Sequence, residues 1–239
     1  MSNELILLVF LIIDLALVLQ AARMGKEWVI MLIATNLLLC QVTSIKIIDF
    51  FGVSVSGATV FYSAIFLATD ILSEHWGKQV AKRSVWLAFA AVIVFVVFCY
   101  MTRFLMPMED SKITDAFDVL FGLTPRITFA SMIAYVVSQN IDIWLYHWLH
   151  RHTNGKHLWL RNNGSTLISQ FVDSTLFFGI AFVGLVPSVM SLIITGYLAK
   201  LAVALFDTPF IYLSYRFKVN GKSSPNQSAI MQAPECLPT

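Results

Sequence analysis

Between Arg83 and Arg103 the chain reads SVWLAFAAVIVFVVFCYMT, residues 84–102, without one charged side chain. At a helical rise of 1.5 Å per residue the run is about 28 Å long, and roughly 20 mostly apolar residues suffice to cross the hydrocarbon core of a bilayer. The same reading, carried outward in both directions, gives candidate spans over residues 4–22, 28–47, 58–76, 84–106, 126–150, 164–185 and 188–215. The third is the weakest, because its apolar stretch stops at Asp70 and residues 50–57 before it read as an extended or re-entrant loop. Val186-Pro187 is all that separates the sixth from the seventh, so these two are expected to form a hairpin. Composition agrees: of 239 residues, 58% are hydrophobic and 13% charged, against about 45–50% and about 25% in soluble domains. The expected class is all-α, a polytopic integral membrane protein of about seven transmembrane helices.

Loop charge sets the orientation. Arg23 and Lys26 follow the first span, Lys78, Lys82 and Arg83 the third, Arg151, Lys156 and Arg161 the fifth, and Arg216, Lys218 and Lys222 the seventh. The alternate loops differ in kind. One holds Asp49 with Lys46 at its margin, the next Glu109, Asp110, Asp115 and Asp118 against a single Lys112, and the third has no charge. This is the positive-inside pattern, and it places the N-terminus outside and the C-terminus in the cytoplasm. Residues 1–222 read as one transmembrane domain and residues 223–239 as a disordered polar cytoplasmic tail. The first span lacks a basic leading region and a small-residue cleavage site, so it is expected to be retained. A net charge of +2, with the basic residues in short loops, excludes a nucleic-acid surface. Cys40, Cys99 and Cys236 form no metal-binding or disulfide pattern.

Charged side chains inside a span each cost about 2.5–3.5 kcal/mol on insertion scales and call for a reason. Here Asp14, Asp70, Glu74, Asp142, Asp173, Lys200 and Asp207 lie within or near the ends of spans, with Asn36, Gln41, Gln139 and Gln170 added. Counted from the inner helix ends, Asp70 and Asp207 lie about 9 Å deep, Asp142 and Asp173 about 12–14 Å, and Lys200 about 20 Å. Such a layer suits a shared polar cavity; interhelical structural pairing is the competing reading for each residue. Glu74 has a further alternative, an interfacial pair with Lys78, and Asp14 a pair with Lys200 or a partner subunit. Ser138-Gln139-x-x-Asp142 in the fifth span is echoed by Ser169-Gln170-x-x-Asp173 in the sixth, and transporters often carry internal repeats with polar sites at their interface. His147, His150, His152 and His157 gather near one end of the fifth span, but without a carboxylate at ligand spacing they read as interfacial anchors rather than a metal site. No hydrolase, metalloprotease, P-loop or dinucleotide motif is present, so the chain is not expected to be an enzyme and calls for no cofactor.

Residues 66–74 (FLATDILSE) followed by Gly77, the two Ser-Gln-x-x-Asp blocks, Ser165-Thr166 before the second and Ser174 with Phe177-Phe178-x-Ile180-Ala181-Phe182 after it, then Lys200, Pro209 and Tyr212, resemble the queuosine precursor transporter family of vitamin-uptake-like transporters. The resemblance runs from about residue 28 to 215. It implies a six-helix core at 28–215, to which this chain adds the helix at 4–22, and a 7-deazaguanine substrate: preQ0, preQ1 or queuine. Asp70, Gln139, Asp142, Gln170, Asp173, Asn36 and Lys200 are then the expected substrate contacts, with Glu74 and Asp207 as secondary candidates. Chemistry suits that ligand, since a carboxylate accepts the N1–H and exocyclic amine of a guanine face in one fork, and amides meet the lactam and pyrrole groups. Salvage of the base for tRNA modification is the implied purpose and the cell (inner) membrane the implied location. The resemblance leaves open a homodimer and the source of energy, whether facilitated diffusion, proton coupling or a separate ATPase. The first helix is expected to be peripheral to the cavity. An assembly subunit of a larger membrane complex, or an intramembrane enzyme, are the alternatives.

Overall fold

The computed structural model describes residues 3–44, 46–50, 53–107, 112–121, 125–154, 157–184, 188–204 and 207–216. Nine helices and one short hairpin are seen among them: α1 (Asn3–Met24), α2 (Lys26–Thr43), β1 (Ile47–Phe50), β2 (Val53–Ser56), α3 (Thr59–His75), α4 (Lys78–Thr102), α5 (Lys112–Phe121), α6 (Pro125–His152), α7 (Leu158–Phe182), α8 (Val189–Ala204) and α9 (Asp207–Ser214). Four of these, α1, α2, α4 and α7, are long and apolar enough to cross a membrane, and α5 with α6, meeting at 47°, make a fifth span if taken as one. The chain is therefore a helical, multi-pass membrane protein. Pro125 opens α6, a position where its missing N–H costs nothing, and it cannot extend α5.

The bundle is organised around α3. Nearly all of its residues are buried, from Thr59 and Val60 to Ser73 and His75, because α1, α2, α4, α6, α8 and α9 all pack against it. A helix enclosed on every side needs no polar face, and its 17 residues, about 25 Å, need not match the bilayer thickness. α4 is the opposite case. Only a stripe of Ala81, Ser84, Val85, Ala88 and Val92 is buried, while Trp86, Val94, Val97, Phe98 and Met101 are exposed to the apolar surroundings. That is the reverse of a soluble helix and fits lipid as the solvent. α1 buries Leu7, Leu11, Leu15, Val18 and Leu19 against α2, α3 and α9. Both short junctions use glycine in a conformation other residues avoid: Gly25 (φ 133°) between α1 and α2, and Gly77 (φ 89°) before α4, its N–H returning to Leu72 O.

Several boundaries differ from the hydropathy reading. The second span ends at Thr43, and the chain then turns into an antiparallel hairpin pairing Ile47 with Ser56 and Phe50 with Val53, so the all-α expectation gains one two-stranded sheet. The Ser44, Ser54 and Ser56 positions and the β-branched Ile47, Ile48, Val53 and Val55 favour extended backbone there. The acidic loop after the fourth span contains α5, tied back by Arg103 to Asp118 at 3.1 Å. The sixth span starts at Leu158 rather than 164, taking Arg161, Asn162 and Asn163 into α7. The stretch expected as one seventh span holds two helices among the described residues, α8 and α9. The expected turn at Val186-Pro187, Glu109 and Asp110, and the tail at 223–239 lie outside the described residues.

Candidate functional site

α6 and α7 form the most extensive helix pair, running antiparallel, and the repeated Ser-Gln-x-x-Asp blocks meet at their crossing. Each serine serves the other block: Ser138 Oγ donates to Asp173 at 3.1 Å, and Ser169 Oγ donates to Asp142 at 2.8 Å. The echo in the sequence is thus a local two-fold arrangement, in which one antiparallel helix presents the same residues to the other. The two carboxylates differ chiefly in what the other helices bring to them.

Asp173 is fully committed to protein partners. Tyr62 of α3 donates to its Oδ1 at 2.5 Å beside Ser138, and Lys200 of α8 forms an ion pair with its Oδ2. Lys200 also lies over the Tyr62 ring, 4.7 Å from its centre, a position that stabilises the ammonium as the carboxylate does. Asp142 lies on the side facing the middle of α3. Its Oδ1 accepts from Ser169, the Ser165 hydroxyl and the Asp70 carboxyl lie within hydrogen-bonding reach, and its Oδ2 has no donor partner. Contacts on either side fix this register: Thr69 Oγ1 donates to Gln139 Oε1 at 3.1 Å, and Tyr146 OH donates to Glu74 Oε2 at 2.6 Å.

Buried polar atoms are nearly always hydrogen-bonded in folded proteins, so exceptions are informative. Here they gather on the site. Gln139 Nε2, Asp142 Oδ2, Gln170 Oε1, Ser174 Oγ and Tyr135 OH have no partner in the protein, although none of these residues is more than 2% exposed. They offer an amide donor, a carboxylate acceptor, an amide acceptor and two hydroxyls on the facing sides of α6 and α7. Such a set matches a small, planar, polar molecule that presents donors and acceptors together. A groove of about 450 Å³ lined by Val136, Asn140, Trp144 and Lys82 lies on another side of α6 and takes in none of these atoms.

Sequence reasoning missed Arg161. Read as a loop cation, it is 2% exposed and reaches Glu74 Oε1 at 2.5 Å. Tyr215 OH also donates to that oxygen, Arg161 donates to Tyr146 and Tyr215 hydroxyls at 3.3 Å each, and the guanidinium stacks 5.6 Å from the Tyr146 ring centre. Glu74 therefore pairs across the bundle with Arg161 and not with Lys78 along its own helix. One signal was available: Arg161 lies three residues before Gly164, where an early helical start would turn it onto the face that carries Ser165.

Other expected contacts have other partners. The Asn36 amide nitrogen donates to both oxygens of Asp14, at 3.0 and 3.1 Å, so it is spent on α1, and Lys200 is paired with Asp173 instead of Asp14. Asp207 opens α9, but its side chain lies outside the described residues. No cluster of His, Cys, Asp or Glu able to hold a metal is found among the described residues.

The comparisons with known proteins agree with this chemistry. A family described as "Putative vitamin uptake transporter" matches residues 56–214. The "Probable queuosine precursor transporter" of Bacillus subtilis is 30% identical over 228 residues, covering 94% of this chain and 100% of that protein. The "Queuosine precursor transporter" of Escherichia coli is 31% identical over 118 residues, 49% of this chain and 51% of that protein. A Haemophilus influenzae relative, "Probable queuosine precursor transporter", is 29% identical over 146 residues, 59% and 58% of the two chains. No solved structure matches. A bundle of apolar helices, a repeated polar block at its centre and a relative aligned along almost the whole length lead to one conclusion: this chain belongs to the queuosine precursor transporter family, a family of membrane transporters and not of enzymes.

Proposed function

We propose that the protein imports a queuosine precursor, a 7-deazaguanine base such as preQ0, preQ1 or queuine, across the cell's inner membrane. The base binds between α3, α6, α7 and α8 near mid-membrane, on Gln139, Asp142, Gln170 and Asp70, with Asp173 and Lys200 at the margin of the site. Seven spans, namely α1, α2, α3, α4, α5 with α6, α7, and α8 with α9, carry the N-terminus outside and the C-terminus inside, following the loop charges. The observation that carries the reading is the convergence of fully buried polar atoms without partners at the α6–α7 crossing. A guanine-like edge supplies the missing partners: its adjacent N–H donors for Asp142, its lactam oxygen for the Gln139 amide, its pyrrole N–H for Gln170 Oε1.

Because Asp173 is engaged at both oxygens, Asp142 is the first acceptor. Asp142→Asn keeps the size and removes half of the fork. Affinity for preQ0 should fall about tenfold to a hundredfold, the 1–3 kcal/mol of one buried donor left unpaired. The measurement is a thermal-shift titration of detergent-purified protein with preQ0, guanine and adenine. Wild-type protein should be stabilised by preQ0 and not by adenine, with about 2.7 kcal/mol expected at a hundred times Kd. Equal shifts with all three bases, or an unaltered preQ0 titration for Asp142→Asn, would refute the assignment.

A further inference from the structure

The acidic pair at the centre of the bundle has a chemistry that base binding alone does not require. Asp70 and Asp142 are 1% and 0% exposed, and their carboxyl groups face each other within hydrogen-bonding reach. The register sets them opposite each other, since Thr69–Gln139 joins α3 to α6 on one side and Glu74–Tyr146 joins it on the other. Two carboxylates in contact inside a water-poor bundle repel strongly, and the contact becomes attractive when one proton lies between them. Among the described residues, Lys200 and Arg161 are engaged elsewhere, at Asp173 and Glu74.

A second observation is independent of the pair. Unpartnered polar atoms do not stop at the crossing but continue from it. Beyond Asp70 and Asp142, towards the Arg161–Glu74 end, come Ser73 Oγ on α3, Asn162 Oδ1 on α7 and His147 Nε2 on α6; in the other direction come Gln139 Nε2, Gln170 Oε1, Ser174 Oγ and Tyr135 OH. From Tyr135 to His147 the file is about 18 Å long at the helical rise. Buried polar atoms left without protein partners are the usual seats of internal water. A file of this kind, with an acid pair part-way along it, is a route on which a proton can be received from one side and released to the other.

We infer that Asp70 and Asp142 hold a shared proton and that this proton moves inward with the base, making the protein a proton-coupled importer. The inference rests on the transport reading given above. One proton enters from the outer side as the base binds, is held between the two carboxyls while the site is closed, and leaves to the inner side with the base; no bond in the base is made or broken. Among the described residues, the ionisable groups on the helices packed here include Tyr62, Glu74 and His75 on α3, Tyr135, Tyr146, His147 and His150 on α6, Arg161 and Asp173 on α7, Lys200 on α8 and Tyr215 after α9. Of these, Glu74, Tyr146, Arg161 and Tyr215 bond to one another. Asp173 and Lys200 are joined in their own ion pair, and His75 is bonded to Ser214. His147 stands at the inner end of the file and is the group placed to pass the proton on.

The test uses the full chain reconstituted in proteoliposomes, with the membrane potential clamped and the outside one pH unit below the inside. Neutral preQ0 is the probe, and its concentration ratio across the membrane is read at steady state. One proton per base predicts accumulation of about tenfold per pH unit, because a unit of pH is a factor of ten in proton activity. A protonophore should return the ratio to unity, and preQ0 added outside at equal pH should acidify a trapped pH dye. The steady-state ratio does not depend on rate, so Asp70→Asn and Asp142→Asn should each give a ratio of unity at whatever speed they transport. A wild-type ratio of unity with preQ0 still equilibrating would overturn proton coupling and leave the transport reading standing. Accumulation that survives in either variant would overturn the assignment to this pair. Absence of any preQ0 movement in wild-type vesicles would overturn both.

Discussion

Arg161 and Glu74 show how one residue's role depends on partners far away in sequence. Their side chains are 3% and 11% exposed, and two tyrosine hydroxyls complete the carboxylate's shell. Deleting one member of a buried pair leaves the other charged and unpaired, at a cost of about 3–5 kcal/mol, whereas the intact pair adds little over an apolar substitute. Arg161→Ala should therefore lower thermal stability in detergent sharply. The double variant Arg161→Leu with Glu74→Leu should recover much of the loss, which a double-mutant cycle of melting curves measures directly. Simple additivity of the two single changes would show that the pair is not coupled. Asp14 makes a similar case at smaller scale. Asp14→Ala strips the Asn36 amide of its acceptor, a loss of about 1–3 kcal/mol, without touching the polar atoms at the α6–α7 crossing.

Among the elements, α1 and the α7–α8 contact carry the clearest expectations. The first helix, expected to be peripheral to the cavity, covers α3 with Leu7, Leu11, Leu15 and Val18, and its Asp14 bonds Asn36 of α2. A chain starting at Lys26 would uncover that face and leave Asn36 buried without its partner. It should insert, since α2 is long and apolar enough to span, but lose most of its stability and with it preQ0 binding. Preserved binding in the shortened protein, by the thermal-shift titration, would show that the cover α1 gives is dispensable to the site. At the α7–α8 contact, Gly196 lets the two helices approach: a Cβ there would stand 2.5 Å from Phe178 Cε2. Gly196→Ala must push the ring or the helix aside, at about 1–3 kcal/mol for overpacking, and Gly196→Ala combined with Phe178→Leu should relieve it. Because α8 carries Lys200 to Asp173, the single variant should also weaken transport, measured as the initial rate of preQ0 uptake.

For the molecule as a whole, the proposed orientation rests on loop charge, and reporters test it. A fusion after Lys222 should read cytoplasmic, and one inserted at Asp110 should read external. Both on one side would break the seven-span arrangement. Had charge alone been decisive the count would be secure, but Arg161 was one of the cations counted in the inner loops and is in fact paired inside the bundle. The loop after α6 keeps Arg151 at its border, so the alternation survives the loss of one member.

Much of this protein is fixed by its sequence alone. Long uncharged runs such as 84–102 admit no soluble fold, because their apolar surface would have no cover in water. The costly polar residues inside those runs mark a candidate site before any fold is known, and the repeated Ser-Gln-x-x-Asp block marks two helices that meet in the structure. Tertiary structure alone decided how these residues are paired. Hydropathy cannot see that Asn36 belongs to Asp14, that Lys200 pairs with Asp173 and not Asp142, or that α7 begins before Gly164 and brings Arg161 to Glu74. The reason is physical: insertion depends on transfer energies summed along a helix, which are local to the sequence. Pairing of buried charges depends on which helices lie side by side, and that is set by packing across the whole bundle.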